Sequence, residues 1–122
     1  PEVSDLERST VAMPMTTVDT MLADHPNRCF DLMKLDVQGA ELDVLRGASD
    51  SIANVEVLFA EVALHECNQG APRIAEVVQE LDQLGFGMFD LLTMDRNAQD
   101  LQLQVDAIFV RNSSPLWPAL QS

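Results

Sequence analysis

Three side chains of this sequence combine a reactive type with a suggestive position: Asp36, Glu61 and His65. Asp36 closes the apolar run that ends in Met33-Lys34-Leu35, and Glu61 closes Leu58-Phe59-Ala60. His65 and Glu66 follow a little further on. Carboxylates and imidazoles are the side chains most often used to accept a proton from a reacting group. Val37, Gln38 and Gly39 form a turn after Asp36 and lead into a helical pattern, where a glycine permits close backbone approach and a helix start leaves N–H groups unpaired. In open α/β sheets, ligands lie beyond the carboxyl ends of the strands. This placement is expected to bring two carboxylates, a histidine and a helix start together on one rim. A plainer reading stands beside this one: Asp36 caps the helix that follows, and Glu61 is a solvated strand end.

The elements that must position these residues alternate along the chain. Residues 1–9 are polar and read as frayed, and Thr10–Met15 reads as a short extended segment, kept to an edge or terminus by Pro14. Thr16 and Asp19 have capping-box spacing before a helix carrying Val18, Met21 and Leu22, which His25-Pro26-Asn27 stops. Phe30–Val37 reads as a strand and Gln38–Arg46 as a helix closed by Gly47. Val55–Val62, apolar on both faces, reads as a covered parallel strand. Pro72 suits a helix start, and Ile74, Val77, Val78, Leu81 and Leu84 recur at helical spacing up to Gly85. Phe86–Leu92 and Leu103–Arg111 then read as an antiparallel pair joined by the polar loop TMDRNAQDLQ. The pattern predicts a single three-layer α/β domain over 1–122, its sheet mostly parallel with one antiparallel strand near the far end.

Composition narrows the function. The chain has 122 residues, is 47% apolar and carries 20 acids against 7 bases, a formal charge of −13. Such a surface repels phosphate backbones and anionic lipid, which excludes nucleic acid and membrane as expected partners. Cys29 and Cys67 form no CxxC pair and read as reduced thiols of a cytoplasmic protein. His65-Glu66 opens like H-E-x-x-H, but position 69 is Gln, so no zinc-protease site exists. The sequence contains neither a G-x-S-x-G elbow nor a P-loop. Gly85-Phe86-Gly87 precedes a strand and reads as a helix stop, and Trp117, flanked by Pro115 and Pro118, reads as a surface anchor for the tail.

The segment FDLMKLDVQGAELDVLRGA resembles the hallmark of FkbM-type S-adenosylmethionine-dependent methyltransferases, D-L-hydrophobic-K-[IL]-D-V-[EQ]-G-x-E-x-x-V-L-x-G-A. MPMTTVDTML upstream is similar to the family's V-x-V-x-T-L-D-x-L-L, with Val18 in place of Leu. LFAEVALHECNQGAP, LDQLGFGMFDL and LQLQVDAIFVR downstream resemble later family segments in order. The resemblance implies a partial class I methyltransferase (Rossmann-like) fold, equivalent to the C-terminal half of the domain from its fourth strand onward. It implies methyl transfer from S-adenosylmethionine to an oxygen of a small molecule or sugar. Asp36 would lie nearest the methyl group, Glu61 or His65 would be the acceptor-side base, and Asp36, Val37, Gln38 and Gly39 would form a cofactor-side wall. The family's glycine-rich loop and ribose-binding acid have no counterpart here, so the isolated chain is expected to bind cofactor weakly or not at all. The alternative is a non-catalytic half-domain that assembles as a homodimer or with a partner chain. In the family's strand order the Phe30–Asp36 strand lies mid-sheet. Left bare, its edge would be an aggregation hazard; Thr10–Met15 folding back as a short strand would cover it, though Pro14 removes one donor, and pairing two copies edge to edge is the favoured cover.

Overall fold

The computed structural model describes residues 11–65 and 69–118. The expectation for residues 1–9, and Glu66 and Cys67, fall outside them. The elements are α1 (Val18–Ala23), β1 (Leu32–Leu35), α2 (Glu41–Arg46), a 3₁₀ turn (Ser51–Asn54), β2 (Val57–Ala63), α3 (Ile74–Gln83), β3 (Phe86–Arg96) and β4 (Gln102–Arg111). They build one four-stranded sheet in the order β1-β2-β4-β3.

The α/β class and the antiparallel final pair follow the sequence pattern, but the sheet is not mostly parallel. β1 and β2 pair in parallel, whereas β2–β4 and β3–β4 are both antiparallel. The one reversed strand, β4, lies near the far end as expected, but between β2 and β3, and so it makes two ladders antiparallel at once. The hairpin that delivers it is also tighter than the polar loop suggested. β3 runs on to Arg96 and β4 begins at Gln102. Asn97 closes the turn: its N–H donates to Leu101 O, and its Oδ1 accepts from the N–H groups of Gln99 and Leu101, both at 3.0 Å. Polar residues at an exposed hairpin tip carry no apolar alternation, which is why the strand ends were not visible there.

One face of the sheet holds the core. Leu58, Ala60 and Val62 on β2, with Val105, Ala107 and Phe109 on β4, are buried with Leu45 of α2 and Val77 and Leu81 of α3. The third layer is not found among the described residues. Val57, Phe59, Glu61 and Ala63, on the other face of β2, are half-buried, and Leu32 and Lys34 beside them are exposed. β2 is therefore covered on one face, not both.

Two helix starts also differ from the pattern. Thr17, not Thr16, caps α1, its hydroxyl accepting from Thr20 N at 3.1 Å. Asp19 is consequently free of the capping box and reaches across to the 3₁₀ turn. It accepts from Ser51 Oγ at 2.6 Å, Asp50 N at 2.9 Å, Ser51 N at 2.8 Å and Ser49 Oγ at 3.2 Å. These donors, the Ser51 hydroxyl foremost and then the Asp50 N–H, hold its carboxyl at about 2, below the usual 3.8. α2 starts at Glu41 rather than Gln38, because Gln38 (φ 52°) and Gly39 (φ 106°) both lie at positive φ and cannot enter a right-handed helix.

The C-terminal segment is tied to the sheet as the tail reading suggested. Arg111 donates from Nε to Val55 O at 2.9 Å and from Nη2 to Ile52 O, with its guanidinium 4.4 Å from the Phe86 ring centroid. Trp117 donates to Arg111 O at 3.0 Å and meets Phe89 edge-on at 5.2 Å. At the opposite edge, β1 is shorter than Phe30–Asp36 and has no strand on its outer side among the described residues. Residues 11–15 form no strand, and Met15 is 95% exposed.

Candidate functional site

Register decides which candidates meet. Leu35 pairs with Ala60, so Asp36, the first residue past β1, comes level with Glu61. Glu61 is not at a strand end: β2 continues through Val62 and Ala63, and Glu61 pairs across the antiparallel ladder with Asp106. Lys34, Leu35, Asp36, Phe59, Glu61 and Asp106 line a concavity of about 120 Å³ on the open face. Its one ammonium, Lys34 Nζ, lies over the Phe59 ring, 5.3 Å from the centroid.

Gln38 connects the two sequence-predicted carboxylates. Its Nε2 donates to Asp36 Oδ1 and to Glu61 Oε1, each at 3.2 Å. The capping role for Asp36 is not seen: the residue before α2 is Ala40, which makes no side-chain cap bond, and α2 starts five residues beyond Asp36. The turn is instead held from beneath by Glu41, 4% exposed, whose Oε1 accepts from Gly39 N at 3.1 Å. The close approach that Gly39 permits is taken by Ala71: a Cβ on Gly39 would lie 2.8 Å from Ala71 Cβ. Val37 is exposed and lines the apolar groove along β1.

His65 stands apart. It is exposed beyond the end of β2, and no described hydrogen bond or ion pair joins it to Asp36 or Glu61. Asp106 and Lys34 are site-lining residues that the sequence reading did not single out. Alternation along β4 puts Asp106 on one face, but only the β2–β4 register puts it opposite Glu61.

Two carboxylates bridged by one amide can accept protons or hold a polar group beside Phe59. Among the described residues no group of three or more His, Cys, Asp or Glu side chains is arranged to hold a metal ion. The DVQG turn leaves the only parallel strand pair among the described residues, at one edge of a mixed four-stranded α/β sheet. A family profile described as the methyltransferase FkbM domain matches residues 2–88. The chain belongs to the FkbM methyltransferase family. The match takes in Asp36, Gln38, Gly39, Glu61 and His65 and stops inside β3, so the FkbM assignment does not extend to β4 or Asp106. No curated protein and no solved structure matches the chain. No described helix is long and apolar enough to cross a membrane.

Proposed function

We propose that the chain serves S-adenosylmethionine-dependent methyl transfer to a hydroxyl of a small molecule or sugar. The observation that supports this most directly is the Asp36–Gln38–Glu61 cluster at the end of β1, inside the FkbM match. When bound, S-adenosylmethionine supplies an electrophilic methyl group. What remains for the chain is to align an acceptor and take its proton. Glu61, facing the concavity, is suited to accept that proton, and Asp36 to line the donor side. His65 could join them only if its loop moved inward.

The residues present fit one end of such a cofactor and not its whole length. A concavity of about 120 Å³ is well below the ~300–1,000 Å³ of ordinary ligand pockets. Among the described residues no strand is followed by a glycine-rich loop; Gly85 and Gly87 flank the start of β3 instead. The rim can therefore hold a reacting end, while the adenosyl part needs further polypeptide. Calorimetric titration tests this: S-adenosylmethionine should bind this chain weakly or not at all. In a protein with the site completed, Asp36→Asn should suppress turnover while leaving the fold intact. Saturable low-micromolar binding by the chain alone would show that the described rim suffices for the whole cofactor, and unchanged turnover in Asp36→Asn would remove Asp36 from the site.

A separate observation favours a second reading, assembly as a homodimer. Phe30 and Leu32 are exposed at the open edge of β1, along a largely apolar groove of about 410 Å³ shared with Val18 and Leu22. Pairing two such edges would cover this surface.

A further inference from the structure

The geometry points to Gln38 as a positioning residue that makes Asp36 and Glu61 act as one unit across the β1–β2 rim, an inference that takes its catalytic meaning from the methyl-transfer reading above. Three features converge on it. Its amide nitrogen is the shared donor to both carboxylates, 3.2 Å from each. Its backbone sits at φ 52°, a region that non-glycine residues seldom occupy. That conformation is fixed by its neighbours, since Gly39 lies against Ala71 and donates to the buried Glu41.

The choice of a neutral amide matters physically. Two carboxylates brought to one point repel each other. An NH₂ group carries two protons and can donate one to each, a bridge that no carboxylate or apolar side chain can supply. Gln38 thereby ties a turn residue, Asp36, to a strand residue, Glu61, that the β-ladder alone does not join. A residue needed only for the turn would require its backbone angles and nothing of its amide. The two roles are separable. Gln38→Met keeps the length of the side chain and removes the donor. Gln38→Asn keeps an amide and is favoured at positive φ, but it is one methylene too short to span both partners.

The test is carboxyl-carbon NMR on the full chain at fixed pH. In the native background, Asp36→Asn should displace the Glu61 carboxyl signal, while Asp43 and Asp82, exposed on α2 and α3, stay still. In the Gln38→Met and Gln38→Asn backgrounds the displacement of Glu61 should be lost, with amide spectra showing the fold retained. Persistence of the displacement in both backgrounds would overturn the inference, as would its absence from the native protein. If Gln38→Met alone unfolds the chain, Gln38→Asn decides the matter. The result does not depend on cofactor: failure of S-adenosylmethionine to bind any form bears on the methyl-transfer reading, whereas the carboxyl signals report the clamp itself.

Discussion

Replacing Gly39 with alanine tests the architecture of the turn that carries the site. Two costs add. At φ 106° an ordinary residue is strained, by about 1–3 kcal/mol. The new methyl would also lie 2.8 Å from Ala71 Cβ, against ordinary carbon contacts of ~3.5–4.0 Å, and overpacking of this kind costs about 1–3 kcal/mol. The sum, about 2–6 kcal/mol, is a large part of the ~5–15 kcal/mol that holds a domain together. Gly70 supplies the control: it too has positive φ, 77°, but an added Cβ there meets no atom of the described residues within 4 Å. Gly70→Ala should thus show the backbone cost alone. Ala71→Gly in the Gly39→Ala background should recover the contact part and leave the strain. Urea unfolding followed by the single tryptophan, Trp117, and by circular dichroism measures all four proteins. Equal losses for Gly39→Ala and Gly70→Ala, within about 0.5 kcal/mol, would refute the close approach, as would a failure of Ala71→Gly to recover any stability.

Three other measurements probe the rest of the frame. The Asp19 carboxyl is held at about 2 against a usual 3.8, so its stabilising contribution is complete above 3.8 and is lost as the pH falls towards 2. Asp19→Asn should weaken the protein at neutral pH and flatten the acid limb of stability against pH in that window; parallel curves for the two proteins would contradict this. Arg111→Lys should cost about 1.5–3 kcal/mol in chemical unfolding, because an ammonium cannot bond Val55 O and Ile52 O together while stacking on Phe86, and an unchanged midpoint would show that only charge matters there. If β1 edges pair, sedimentation should show a dimer that tightens with salt, since each copy carries −13, and Leu32→Lys should keep it monomeric. A monomer at every salt and protein concentration would dismiss that interface.

Much of the fold was legible because burial leaves a period in the sequence. Ile74, Val77, Val78 and Leu81 recur as a helix must if it covers a sheet, and α3 lies where they place it. β2 kept its place for a similar reason, although its residues alternate between a buried and a half-buried face instead of being covered on both. The order of the last two strands was not legible. A hairpin and an insertion between β2 and β3 look alike in sequence, because β4 alternates the same way wherever it pairs. The start of α1 was misread for a chemical reason. An acid three residues after Thr16 satisfies the spacing of a capping box, and only the packing of α1 on Ser49, Asp50 and Ser51 reveals a stronger claim on Asp19.

The site shows the same division between local and non-local information. Asp36, Gln38 and Gly39 are a local turn, and chain direction after β1 alone carries them to the rim, where Ala71 and Glu61 then meet them. Glu61 joins them through the parallel register, which a strand-end argument approximates: it places Glu61 correctly beside Asp36 while misjudging where β2 ends. His65 breaks the approximation. Once β2 runs past Glu61 to Ala63, the histidine is carried beyond the rim into the following loop, so proximity in sequence works against proximity in space. Asp106 is the converse, distant in sequence and opposite Glu61 in the ladder. A carboxylate that arrives by pairing is fixed by the whole sheet, whereas one that arrives by a turn is fixed by a few residues. Asp36 therefore needs a tether that Glu61 does not, and the only described side chain that reaches both is Gln38.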